Sequence, residues 1–159
     1  MVHVRPATPD DAPHILALHV ESIRAFGPTA YDETQVAAWA EKDGGVEQYP
    51  LDDEAHHLVV AEKNDNIVGY GHLIPKAQET RAVYVHPDYG RQGVGSAILT
   101  HLEGRAREEG VAYLELWASR NAVAFYERMG YQRIGDETIE KQYEGRRVPL
   151  SVVVMEKSL

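Results

Sequence analysis

Residues 79–99 read ETRAVYVHPDYGRQGVGSAIL, and the order of chemistries in this stretch decides the fold. Arg81 to Val85 is β-branched and aromatic, which predicts a strand, and His86-Pro87-Asp88 is a turn signal. A glycine-rich loop follows, from Gly90 through Arg91, Gln92, Gly93 and Val94 to Gly95. Val94, Ala97, Ile98, His101 and Leu102 then recur at one-face helical spacing. Strand, glycine loop and helix in this order make an anion site. Successive backbone N–H groups point into the concavity of the loop, backed by the positive end of the helix dipole. Without Cβ atoms, Gly93 and Gly95 let a phosphate come close to the backbone.

The spacing fits neither common nucleotide loop. Gly93-Val94-Gly95 lacks the third glycine of G-x-G-x-x-G, and no Gly-Lys-Ser/Thr ending is present. The order V-x-V-H-P-x-Y, then RQGVGSAIL (91–99), instead resembles motif A of the GNAT superfamily of N-acetyltransferases. The resemblance implies that Arg91, Gln92, Gly93, Val94, Gly95 and Ser96 bind the diphosphate of acetyl-CoA. One position departs from the pattern: Gly90 stands where Gln or Arg is usual. A second signature, NAVAFYERMGY (121–131), resembles the N-x-x-A-x-x-F/L-Y-x-x-x-G-F/Y segment of the same superfamily, slightly shortened. By that resemblance Asn121 hydrogen-bonds the pantetheine arm and Tyr126 lies beside the CoA sulfur. The backbone of Val83, Tyr84 and Val85 would pair with the pantetheine amides, as an extended peptide adds to a sheet edge.

Around this centre the chain reads as alternating elements. Val2 to Arg5 alternates like a first strand, and Thr8-Pro9-Asp10-Asp11 is a capped helix start leading towards Phe26. Gly27-Pro28 stops that helix, and Tyr31 to Lys42 reads as a second. His57 to Ala61 and Ile67 to Leu73 are two strands joined by a hairpin turn at Asn64-Asp65-Asn66. After the helix of the central stretch, Val111 to Trp117 is a strand, and Asn121 opens a short helix closed by Gly130. Tyr131 to Ile134 and Val148 to Met155 are the last strands, and the polar piece from Asp136 to Arg147 reads as a long loop. This order predicts one α+β (mixed α/β) domain over residues 1–159. Its architecture would be GNAT-like, with a central, mostly antiparallel twisted sheet flanked by helices.

Composition narrows the function. A net charge of −9 argues against nucleic acid, which selects a basic stripe. With no cysteine, the chain has no thiolate nucleophile, disulfide or thiolate metal site. The eight histidines show no H-E-x-x-H pattern, so no metal is expected. No apolar run is long enough to cross a bilayer, and the expected setting is the cytoplasm. A homodimer is compatible with these features.

Acetyl transfer to an amine poses two proton problems: the amine must lose a proton, and the departing thiolate leaves better with one. Tyr126 is the candidate acid. Glu79, at the head of the strand, is the candidate base directly or through water, with Glu115 and His72 in reserve. Arg81 shares the strand face of Glu79 and would lower its pKa. Phe26 and Tyr31, in the first two helical segments, are the candidate acceptor-binding residues. The reading is therefore an acetyl-CoA-dependent N-acetyltransferase acting on a small-molecule or peptide amine in a ternary complex. Two alternatives stand beside it: a non-catalytic acetyl-CoA sensor on the same fold, and an acyltransferase using a longer acyl-CoA.

Overall fold

A computed structural model describes residues 1–42 and 44–159. Its strands are β1 (His3–Pro6), β2 (His57–Lys63), β3 (Asn66–Ile74), β4 (Glu79–Val85), β5 (Tyr113–Ser119), β6 (Gln132–Tyr143) and β7 (Arg146–Ser158). The helices are α1 (Ala12–Phe26), α2 (Glu33–Ala40), α3 (Val94–Glu108) and α4 (Val123–Arg128). All seven strands join one sheet in the order β1-β2-β3-β4-β5-β7-β6. Every neighbouring pair is antiparallel except β4 with β5. This is the expected α+β architecture.

Local chemistry explains most boundaries. The β2–β3 hairpin turns on Asn64 and Asp65, both at positive φ (53° and 65°), as a two-residue primed turn requires. The Thr8 N–H donates to the Asp11 carboxylate at 2.8 Å and fixes the entry to α1. That helix lays Ile15 and Leu18 on one face of the sheet against Leu58, Val60 and Tyr70. On the opposite face, α3 places Val94, Ile98, Leu99 and Leu102 in the largest core cluster, which α4 joins through Val123 and Tyr126.

Most boundaries fall within one or two residues of the sequence reading, and three differences have a clear cause. Helix α2 begins at Glu33, because Asp32 is its N-cap and accepts from the Gln35 N–H at 2.8 Å. Strand β5 begins at Tyr113, because the Val111 N–H closes the end of α3 by donating to the Ala106 carbonyl. Asp136 to Arg147 is no loop: it belongs to the long β6–β7 hairpin, which turns at Glu144 and Gly145. Being an edge strand, β6 is exposed from Gln132 to Thr138, so nothing there demands apolar alternation.

Candidate active site

Strands β4 and β5 are ladder partners only at Glu79 and Glu115, where the Glu115 N–H also donates to the Gln78 carbonyl at 2.8 Å. Beyond that pair the strands part. On its other edge β4 stays bonded to β3, and the His86 N–H reaches the Val68 carbonyl at 2.8 Å. Counting back through the alternating ladder, Tyr84 and Ala82 spend their backbone groups on β3, whereas Val83 and Val85 turn theirs to the gap. The three residues expected to face the cofactor thus differ in backbone orientation. Val83 and Val85 offer free backbone, and Tyr84 presents its side chain on the α1 side of the sheet. A register shift opposite His72 and Leu73 makes Arg81 a bulged residue at the mouth of the gap.

The glycine loop closes one end of this gap. Arg91 and Gly93 have φ of 59° and 81°, and α3 starts at Val94. The first i→i−4 bond of the helix is from the Ala97 N–H to the Gly93 carbonyl, at 3.0 Å. The N–H groups of Val94, Gly95 and Ser96 therefore have no partner within the helix, and no side chain caps them. The two glycines serve different ends. A Cβ on Gly93 would meet nothing within 4 Å, so its backbone conformation is what selects glycine. At Gly95 a Cβ would meet the Phe125 ring at 3.2 Å and Val85 at 3.6 Å, so this glycine admits a packing neighbour. Arg91 is exposed beside the loop, and Lys63 donates to the Gln92 Oε1 at 2.7 Å. Nothing in the sequence marks Lys63, at the end of β2, as a cation of this loop.

Across the gap, after β5, a 3₁₀ turn from Arg120 to Ala122 leads into α4. The Asn121 Oδ1 and the Thr80 Oγ1 are buried with no hydrogen-bond partner among the described residues. An orphaned amide oxygen, free strand backbone and unpaired helix N–H groups together suit a ligand carrying both amides and phosphates. Tyr126 lies 7% exposed, edge-on to Phe125 (5.1 Å) and Tyr131 (5.8 Å). Burial, with a smaller contribution from Tyr84, raises its pKa and keeps the phenol protonated.

The profile of the Acetyltransferase (GNAT) domain family matches residues 29–147. This chain belongs to the GNAT acetyltransferase family. It is 30% identical to a GCN5-related N-acetyltransferase from Rhodopseudomonas palustris, with a TM-score of 0.88 over 99% of this chain and 95% of that one. It is 26% identical over 141 residues to an uncharacterized N-acetyltransferase of Methanocaldococcus jannaschii, which covers 81% of this chain but only 60% of the archaeal protein. An N-acetyltransferase of Thermoplasma acidophilum in complex with coenzyme A shares the fold, with a TM-score of 0.79 at 18% identity over 100% of this chain and 99% of that one.

On the α1 side of this GNAT sheet lies a cleft of about 680 Å³. Its walls include Tyr31, Trp39, Tyr49, Tyr70, Tyr84 and Trp117, and Glu79 and Arg81 stand in it 3.3 Å apart. Of the two candidate acceptor residues, Tyr31 lines this cleft. Phe26 lies elsewhere: its ring is 3.5 Å from where a Gly90 Cβ would stand, because α1 ends beside the glycine loop. His72 also lines the cleft, with its Nε2 2.8 Å from the His56 Nδ1. Burial, then His56, lowers the His72 pKa to about 4, so the ring is neutral at pH 7. His86 lies outside the cleft. Its Nδ1 accepts the Asp88 N–H, which puts its proton on Nε2, 2.6 Å from Glu21 of α1. Among the described residues, no group of three His, Asp or Glu side chains could hold a metal, and no helix is long and apolar enough to cross a membrane.

Proposed function

We propose that this chain transfers the acetyl group of acetyl-CoA to a primary amine by direct attack in a ternary complex. The single observation that carries the reading is the parting of β4 from β5, with free backbone on Val83 and Val85 between two orphaned features. One is the set of N–H groups at Val94, Gly95 and Ser96; the other is the buried Asn121 oxygen. Acetyl-CoA supplies the activated acyl group and a thiolate leaving group. Val83 and Val85 hold the pantetheine amides, Asn121 adds a side-chain contact, and the loop from Arg91 to Ser96 takes the diphosphate, with Lys63 adding positive charge.

The acceptor enters from the α1 side, where Tyr31 and Tyr84 form part of the wall. Glu79 takes the amine proton directly or through water. Its bond to Arg81 fixes the carboxylate at the point where the two strands separate. Tyr126 gives its phenolic proton, or a hydrogen bond, to the departing sulfur. Burial keeps this phenol protonated, which suits it to donate a hydrogen bond to the sulfur and makes it unsuited to be a base.

Tyr126→Phe removes only the hydroxyl and keeps both ring contacts. With an accepted amine and free-thiol detection, kcat should fall roughly 10²–10⁴-fold while acetyl-CoA affinity holds. The parent should be stabilised by about 2.7 kcal/mol at CoA a hundredfold above Kd, and Gly93→Val should abolish that gain by excluding the positive φ. Parental turnover in a folded Tyr126→Phe protein would remove Tyr126 from the chemistry. Binding of CoA without turnover on any amine would favour the sensor.

A further inference from the structure

The walls of the acceptor cleft hold charge of an unexpected sign. The chain as a whole carries −9, yet the cleft contains Lys42, Arg81 and Lys141 against Glu79 and Glu140. Arg81 is matched by Glu79 at 3.3 Å, and Glu140 is engaged by Arg147 at 3.7 Å. That leaves Lys42, just past the end of α2, and Lys141, on β6. Both are half-buried in the cleft wall, and neither has a carboxylate within 4.0 Å among the described residues.

Two like charges brought together from distant parts of the chain disfavour each other and the fold that holds them. Burial, then the charge of Lys141, lowers the Lys42 pKa to about 8. His19, on the same wall, cannot share the positive charge, because burial followed by the two lysines lowers its pKa to about 2. Two ammonium groups with no counter-ion among the described residues, set in an aromatic cleft, make a receptor for an anion that arrives with the ligand. The remaining walls, Trp39, Tyr49, Tyr70 and Leu150 among them, suit an apolar body.

We propose that Lys42 and Lys141 form an anion subsite of the acceptor cleft, and that the acceptor is an amine that also bears a carboxylate on an apolar body. The proposal rests on the acceptor reading of this cleft, and its test separates the two. On the CoA-loaded protein, 3-phenylpropionate should raise the melting temperature, and its uncharged amide, matched in size and ionic strength, should not. Lys42→Met and Lys141→Met should each lose that gain while keeping the stabilisation by CoA. Lys42→Arg should retain it.

Turnover supplies the second arm. A series of amino acids with one to five carbons between amine and carboxylate would be compared, each against its own amide, by free-thiol release. The best carboxylate acceptor should exceed its amide in kcat/KM by about tenfold or more. Lys42→Met should bring the ratio towards one through the acceptor KM alone. Stabilisation by the carboxylate that depends on Lys42, with no amine acetylated, would leave the subsite standing and overturn the transferase reading. Equal stabilisation by acid and amide, or a preference that persists in both methionine variants, would overturn the subsite whatever the turnover.

Discussion

His19 and His72 sit 7% and 8% exposed, and both are folded in as neutral rings. Burial followed by the Lys42 and Lys141 charges lowers His19 to about 2; burial followed by His56 lowers His72 to about 4. In the unfolded chain each titrates near 6.5. Below that pH the unfolded state binds protons that the folded state refuses, so stability falls as pH falls. Above it neither state is charged at these rings, and the dependence ends. By pH 5 the loss is on the order of 2 kcal/mol for each ring. Asp11 adds its own loss only at lower pH, since the hydrogen bond from Arg5 holds its pKa below 3.8. Urea midpoints should therefore drop between pH 7.5 and 5.0, and His72→Asn should flatten that drop. Equal midpoints across the range would show that these rings accept protons in the folded state. From sequence, His72 is a reserve base; the burial that neutralises the two rings comes from Tyr49 and Tyr70 at His19 and from His56 at His72.

The pairing of α3 with β3 sets the position of the glycine loop, and it depends on bare backbone. A Cβ on Gly71 would stand 2.4 Å from the Ile98 Cγ2, and one on Gly69 would stand 2.8 Å from the Ile98 Cδ1. Gly71→Ala should cost about 1–3 kcal/mol by overpacking. It should also weaken stabilisation by CoA, since the start of α3 moves with the helix. Gly104→Ala, in the same helix but with nothing within 4 Å of the new Cβ, should instead stabilise by about 0.5–1 kcal/mol. Chemical denaturation of the two variants reads the difference directly. A stable Gly71→Ala protein with parental CoA binding would mean that α3 can shift without moving the loop. The sequence places Gly69 and Gly71 correctly on a strand. Which element presses against them is set by pairing and packing.

Tyr31 joins parts of the molecule that lie far apart in the chain. Its phenol donates to the Ser151 carbonyl at 2.6 Å and accepts the Arg120 N–H at 3.0 Å. The Arg120 guanidinium lies 4.9 Å from the ring centroid and also donates to the Ala30 carbonyl. One side chain thus links the wall of the cleft to β7 and to the turn that carries Asn121. Tyr31→Phe leaves two backbone groups without this partner and should cost about 1–3 kcal/mol. Because the link reaches both sides of the gap, the KM values for acceptor and acetyl-CoA should rise together. A rise confined to the acceptor would reduce Tyr31 to a piece of cleft wall.

Features with a local cause are legible in the amino-acid sequence itself. Positive φ at Gly93 and Gly130, the Asn64-Asp65 turn and the one-face spacing of α3 are each written within a few residues. Together they carry the element order and the GNAT resemblance. Features set by distant pairing are not legible in this way. The polar segment from Asp136 to Arg147 hides a strand, because an edge strand needs no apolar alternation. Phe26 lies at the glycine loop because α1 is long enough to reach it, and Gly95 is small because Phe125 packs against it. The parting of β4 from β5 decides that Val83 and Val85, and not Tyr84, offer free backbone. Turns and periodicity act over one or two turns of chain, whereas the site is made where strands fail to pair, and only the assembled sheet determines that.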